Sequence, residues 1–390
     1  MDKVRFGVIG VGNMGSEHCR WLFEGAIKDA VLAAIADTNP AKLEAKKALY
    51  GDKISYFSTA EELFASGLCD AAIVATPHYF HPPYVIQGLK AGLNMLCEKP
   101  AGVYTKQVKE MNTAAEKSDK LFAIMFNQRT NPIFKKMQQM VADGELGEVK
   151  RTSVIITDWY RSQSYYDSGA WRATWAGEGG GVLLNQAPHN LDLWQWIVGM
   201  MPSKIRAYCH FGKWHNIEVE DDVTAYVEYP NGATGTFTTS TGDLPGSNRF
   251  EILGDKGRLL FQDGKLTFCK LSVGEKEFSA TYKGGFGEPD KALIPIEVEN
   301  GGPQHVGILN NFTQAILGNE KLFVSGTEGI KGVTLANAMH LSTWLDKTID
   351  LPFDDELFYN ELQKRVAASP KSAKGEDKVL NVSGTYGGSK

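Results

Sequence analysis

Along the first third of the chain, short runs of apolar and β-branched residues alternate with amphipathic stretches of helical spacing. The runs fall at 4–9, 31–36, 71–75, 94–97 and 121–126, a rhythm that predicts parallel strands joined by helical crossovers, a doubly wound α/β sheet. Local punctuation agrees. Ser58-Thr59-Ala60-Glu61 reads as a capping box that opens a helix, and Gly67 falls where that helix should end. From about Arg151 the period shortens to two: residues 222–229 alternate, Pro230-Asn231-Gly232 supplies a turn, and residues 233–239 alternate again. A second turn, Gly254-Asp255-Lys256-Gly257, joins 250–253 to 258–261, so this region is expected to be antiparallel sheet. Helical periodicity returns at 302–318 and 326–347 and is expected to cross back toward the first domain. After residue 366, Ser, Gly and Lys dominate and read as a mobile tail.

A chain of 390 residues is comfortable as two domains, and 43% hydrophobic with 22% charged residues is the balance of a folded protein. A formal net charge of -5 supplies no basic field for a polyphosphate backbone, so nucleic acid is an unfavoured partner. No run of about 18 apolar residues offers a membrane span, and the first residues lack the pattern of a signal peptide. The five cysteines are odd in number, scattered and free of CxxC spacing. They predict reduced thiols in the cytoplasm and no metal site.

The first run closes on Gly10-Val11-Gly12-Asn13-Met14-Gly15, and Asp37 ends the second run 22 positions after Gly15. In a strand–turn–helix context each glycine has a use: Gly10 for the tight turn, Gly12 for close approach of a pyrophosphate, and Gly15 for helix-on-strand packing. Asp37 is placed to accept from the ribose hydroxyls and to repel a 2′-phosphate, which favours NAD over NADP. It also suits an ordinary turn at Asp37-Thr38-Asn39-Pro40. The fourth run empties into Ala75-Thr76-Pro77-His78-Tyr79-Phe80-His81 and the fifth into Cys97-Glu98-Lys99-Pro100, both at strand carboxyl ends where such sheets bind ligands. Hydride leaves a carbinol carbon only as the hydroxyl loses its proton, so an acid/base must stand there. Lys99 is the candidate, although an isolated lysine in a turn reads equally as a surface residue. Further on, Asp158-Trp159-Tyr160-Arg161 and Trp171-Arg172 mix flat aromatic faces with hydroxyl-binding groups. This suits a carbohydrate pocket as well as an aromatic domain interface.

These residues resemble the glucose-fructose oxidoreductase and inositol dehydrogenase family, Gfo/Idh/MocA. The likeness lies in Gly10 to Gly15, in Ala75-Thr76-Pro77 with His81, and above all in Glu98-Lys99-Pro100. It continues through Asn127-Gln128-Arg129 and through the stretch 179–192, from Gly179-Gly180-Gly181 to Asp192, and covers about residues 1 to 362. Composition leaves a tail at 366–390. The resemblance implies a Rossmann domain at 1–126 and a substrate and oligomerisation domain at 127–365 built on an open-faced, mostly antiparallel sheet with returning C-terminal helices. It implies Lys99 and His189 as the catalytic pair and a cis peptide before Pro100. It also implies NAD held by Gly10, Gly12, Asn13, Met14, Asp37, Thr76, Pro77, His81, Glu98, Lys99, Asn127 and Arg172. A sugar, glycoside or cyclitol is expected against Lys99, Arg129, Tyr160, Trp171, Asn185 and His189, and a homodimer or homotetramer is expected through the sheet. One departure stands out. Inositol dehydrogenase-like members carry Asp-x-x-x-His, whereas this chain has Asn185 and His189, expected on one helix face. Asparagine takes no proton, which leaves Lys99 and His189 to do the proton work, and His189 by itself also reads as a structural histidine. Two other functions fit these residues: an NAD-dependent glycosidase that oxidises the ring transiently, and a non-catalytic NAD-binding regulator.

Overall fold

The computed structural model describes residues 2–369. The first unit runs β1 (Val4–Ile9), α1 (Asn13–Phe23), β2 (Ala30–Ala36), α2 (Pro40–Tyr50), β3 (Ser55–Phe57), α3 (Ala60–Ala65), β4 (Ala71–Val74), α4 (His81–Lys90), β5 (Asn94–Cys97), α5 (Thr105–Glu116) and β6 (Phe122–Ile124). Its six strands are all parallel, in the order β3-β2-β1-β4-β5-β6. Helices on both faces explain why β4 reads as an unbroken apolar run: every one of its residues is buried. The order reverses between β1 and β4, and the crevice outside that point is where a doubly wound sheet takes its ligand. Strand β3 has three half-buried residues, too few to show as a hydrophobic run. The capping box exists one residue later than the sequence suggested: Thr59 caps α3 and Glu62 reaches back. Glu61 lies one position too early on the helix to close that ring.

The second unit follows with α6 (Pro132–Ala142), β7 (Val149–Ile156), α7 (Gln163–Tyr166), α8 (Pro188–Val198), β8 (Lys204–Phe211), β9 (Glu220–Glu228), β10 (Thr234–Ser240), β11 (Asn248–Gly254), β12 (Gly257–Gln262), β13 (Lys265–Leu271), α9 (Glu275–Thr281), β14 (Lys291–Ile296), α10 (Gln304–Ile316), α11 (Gly329–Leu345), β15 (Ile349–Asp350) and α12 (Asp355–Ala368). Nine strands form one sheet in the order β14-β13-β12-β11-β7-β10-β9-β8-β15, antiparallel throughout except where β10 lies parallel to β7. Alternation along β9 from Asp222 onward buries Val223, Ala225 and Val227 under helices and leaves Thr224 and Tyr226 outside. On the covered face, Trp194 of α8 stacks on Phe237 at 5.4 Å and donates to Thr152 Oγ1 at 3.0 Å, while Phe134 of α6 meets Phe261 at 5.1 Å. α10 returns to the first sheet, where Phe312 packs 6.1 Å from Phe6. Each such fully buried side chain contributes about 1.5–3 kcal/mol. α12 continues to Ala368, so residues 366–368, expected in the tail, are helical, and 370–390 lie outside the described residues. Among the described residues no helix is long and apolar enough to cross a membrane.

Candidate active site

The glycine loop follows directly from β1. Gly10 has φ +83°, and a Cβ there would lie 2.7 Å from the Ala75 carbonyl oxygen; one on Gly15 would lie 1.8 Å from the Gly10 oxygen. Gly12 differs, because a Cβ there would meet nothing within 4 Å. Packing does not require that glycine; it keeps open a cradle above the start of α1, whose first turn carries Asn13 and Met14. Asp37 braces the loop from the end of β2, its carboxylate accepting from Val11 N–H and Asn39 N–H, both at 2.8 Å. At the neighbouring strand ends, Thr76 Oγ1 and Asn127 Oδ1 are buried without a partner among the described residues. An open cradle and orphaned polar atoms along one sheet edge fit an extended, hydrogen-bonding cofactor such as NAD.

Pro77 starts the short turn that leads into α4, where His81 is buried with Nε2 2.7 Å from the Thr76 oxygen and Nδ1 2.7 Å from the Pro100 oxygen. The ring thus ties the β4 exit to the β5 exit. The peptide before Pro100 is cis. Glu98 is buried against His18, Oε1 to Nε2 2.7 Å, and also accepts from the Lys99 N–H at 3.2 Å. Burial acts to raise this carboxyl, but the His18 hydrogen bond and charge overcome that and bring it down to about 2. Lys99 Nζ reaches across to the second unit and donates to the Asn185 carbonyl at 2.9 Å. Burial pushes this ammonium below the usual lysine range and Arg161 and Arg172 push the same way, while Glu98 and Glu178 oppose them.

His189 sits in the first turn of α8, buried, with Nδ1 lacking a partner among the described residues. Burial, then the charge of Lys99, hold its imidazole well below the ordinary pKa. Asn185 precedes the helix, which starts only at Pro188, so the two do not share a helix face as expected. The amide serves a different neighbour: Asn185 Nδ2 donates to Glu178 Oε1, and Glu178 Oε2 accepts from Ala173 N–H at 2.6 Å. Asn185 Oδ1 takes the hydroxyl of Tyr165 at 3.2 Å, and Arg172 donates to that hydroxyl at 3.0 Å. Trp171 lies beneath Arg172 with its ring 5.7 Å from His78, while Tyr160 remains on the surface. Arg129 is elsewhere. The residue is 1% exposed, its guanidinium clamped by Asp192 at 2.8 and 2.6 Å and by Glu328 at 2.9 Å and lying over Trp196 at 5.1 Å. Each of its three nitrogens has a carboxylate partner inside the protein, so the geometry does not present it to a substrate.

The two units each match a family model. Residues 4–126 match the model of an oxidoreductase family with an NAD-binding Rossmann fold, and residues 134–260 match the Gfo/Idh/MocA C-terminal domain. The chain belongs to the Gfo/Idh/MocA oxidoreductase family. Inositol 2-dehydrogenase from Rhizobium meliloti (strain 1021) is 23% identical over 345 residues, 86% of this chain and 95% of that protein. Trans-1,2-dihydrobenzene-1,2-diol dehydrogenase from Bos taurus is 31% identical over 281 residues, 70% and 79%. Among solved structures, the WlbA dehydrogenase from Bordetella pertussis in complex with NADH and UDP-GlcNAcA aligns with a TM-score of 0.75 at 27% identity, covering 90% of this chain and all of that one. This Gfo/Idh/MocA chain is therefore an NAD-binding oxidoreductase.

Two residues of the candidate site carry little signal in the sequence. Glu178 is a buried carboxylate whose one sequence signal is an acid standing directly before Gly179-Gly180-Gly181. Tyr165 lies inside the aromatic segment, but nothing in its spacing says that its hydroxyl joins Arg172 to Asn185. Glu220, fully buried, accepts from Gly181 N–H and Leu183 N–H at 2.9 and 3.0 Å and so fixes the loop that leads to Asn185 and His189.

Proposed function

We propose that this protein is an NAD-dependent dehydrogenase of a carbohydrate-like alcohol: a sugar, glycoside or cyclitol. The observation that carries the reading is Lys99, half-buried at the carboxyl end of β5, depressed from the usual lysine range and held through the Asn185 carbonyl toward neutral His189. The named activities of the relatives, on an inositol and on a cyclic diol, point to ring hydroxyls. When bound, NAD supplies the hydride acceptor; the glycine loop with Asp37, Thr76 and Asn127 would hold it. Lys99 takes the hydroxyl proton, and its lowered pKa brings the amine closer to the free form a base requires. His189, kept uncharged, has a ring nitrogen free to hydrogen-bond and so orients the same hydroxyl. Glu178 holds Asn185, whose carbonyl in turn aims the lysine. We further propose that it works in the cytoplasm, supported by five unpaired cysteines, and as a homodimer or homotetramer joined through the uncovered face of the nine-stranded sheet. The test is NADH formation at its absorbance band across a panel of sugars, glycosides and cyclitols. One or more should give NADH, and Lys99→Met should lower turnover by roughly a hundredfold or more with NAD affinity nearly intact. Aglycone release without net NADH would replace the dehydrogenase with the glycosidase reading. A Lys99→Met enzyme with near-normal turnover would remove the lysine from the mechanism.

A further inference from the structure

β9 opens on two consecutive, fully buried carboxylates, Glu220 and Asp221. Glu220 fixes the loop that leads to Asn185, whereas Asp221 serves a different part of the second unit. It accepts from three successive backbone N–H groups, those of Lys213 at 3.0 Å, Trp214 at 2.8 Å and His215 at 3.0 Å. Its Oδ2 also lies 3.0 Å from Nδ1 of the His215 ring, while Lys213 Nζ turns away to Asp222 at 3.0 Å. The other ring nitrogen, Nε2, lies 2.8 Å from the Arg161 carbonyl oxygen. A carboxylate oxygen that already receives two N–H groups and a peptide carbonyl both accept, so the ring must donate from both nitrogens. Only an imidazolium has two N–H groups to give. The pair stands out of water, with side chains 7% and 0% exposed, a costly place for two charges. Holding the loop at 213–215 does not call for it, because the three backbone bonds already do that. The ring instead reaches out of its own loop to another segment.

That segment enters the crevice. Asn216 N–H donates to Gln163 Oε1 at 2.9 Å, and the His215 ring packs 4.8 Å from that of Tyr166. Thr241 receives the Arg161 N–H at 2.9 Å and the Tyr166 hydroxyl at 2.7 Å, and its own N–H returns to the Asp221 carbonyl at 2.9 Å. What the segment carries inward is Tyr165, whose hydroxyl meets Asn185 and Arg172, and Asn185 holds Lys99 Nζ. We infer that Asp221 and His215 are positioning residues for the alcohol oxidation: braced by the carboxylate, the imidazolium fixes the 161–166 segment and, through Tyr165, the place of Asn185 and Lys99. This deepens the dehydrogenase reading above and rests on it. A rigid ring donating at both ends sets the separation between Asp221 and the Arg161 peptide in a way that a flexible side chain would not.

The test uses the full chain with NAD and the alcohol that gives most NADH in a panel of sugars, glycosides and cyclitols that includes glucose and myo-inositol. In protein labelled with nitrogen-15, the His215 ring should show both nitrogens protonated at pH 7. His215→Phe keeps the packing on Tyr166 and deletes both ring bonds. It should raise KM for the alcohol by about tenfold to a hundredfold, the range of a charge-assisted bond, with NAD affinity within about threefold. His215→Gln, whose amide can still donate to the Arg161 carbonyl, should recover part of that loss. A purely structural ring would lower the active fraction, and so kcat, while leaving KM unchanged, and that result overturns the inference. So does a ring with one protonated nitrogen, or an equal loss of NAD affinity; each of these leaves the dehydrogenase standing. If His215→Phe does not fold, the wild-type ring spectrum and the KM of His215→Gln decide. NADH from no alcohol removes the dehydrogenase reading and, with it, the pair's part in oxidation, even where the ring proves doubly protonated.

Discussion

Replacing Arg129 with methionine distinguishes a substrate contact from a structural clamp. The side chain joins three segments: its own short turn after β6, α8 through Asp192, and the start of α11 through Glu328. Methionine keeps most of the apolar stem against Phe126 and Trp196, so the cavity term is small. What changes is Asp192, 1% exposed, whose remaining side-chain partner is Gln195 Nε2 at 3.1 Å. Burial pushes the Asp192 carboxyl above its ordinary value, and the two Arg129 bonds oppose that rise. Without them the folded state must bind a proton there. At pH 7, against an ordinary pKa of about 3.9, that costs about 4 kcal/mol, in line with the roughly 3–5 kcal/mol for breaking a buried pair. The sign follows from proton binding: the folded variant binds a proton that the unfolded chain releases, so its deficit grows with pH. At pH 5 it should shrink to about 1.5 kcal/mol. Urea unfolding followed by tryptophan fluorescence at both pH values measures this. Arg129→Met with Asp192→Leu should recover most of the loss, since no lone buried charge remains. A stable Arg129→Met enzyme with a pH-independent deficit and a sharply raised substrate KM would refute the clamp and return Arg129 to the substrate.

Glu178→Gln removes a negative charge that opposes the fall of the Lys99 pKa, so the rise of oxidation rate with pH should move to lower pH; an unmoved profile in kcat would exclude electrostatic coupling. NAD should bind markedly better than NADP, and Asp37→Ala should narrow the gap while also loosening the glycine loop, because it deletes the Val11 bond; equal affinities for wild type in a titration count against the ribose role. The uncovered sheet face presents Tyr208, 55% exposed, and Tyr226, 43% exposed. Light scattering at micromolar concentration should give a dimer or tetramer, and Tyr226→Glu should shift it toward monomer; a wild-type monomer ends that proposal.

The local devices were legible because their physics is local. A strand–glycine–helix junction needs a positive φ at Gly10 and an absent side chain at Gly15, and both are written in consecutive residues. Buried strands require apolar runs, half-covered strands require alternation, and the two sheets show up as a change of period near Arg151. Lys99 was visible because it stands two residues past the end of such a run. What the chain order could not reveal was which distant polar groups become partners. Lys99 meets Asn185 across 86 positions, and Arg129 meets Asp192 across 63. Glu178 and Asn185 are close in sequence, yet their bond depends on a loop fixed by Glu220 from another strand. The helix expected to carry Asn185 begins only at Pro188, since proline suits a first turn and lacks the N–H an interior position would donate. Sequence thus determined which backbone can form and which face is apolar. Tertiary packing decided which charges are desolvated together, because hydrogen bonding and burial depend on separation in space, and that alone separates the clamp at Arg129 from the half-buried lysine at the crevice.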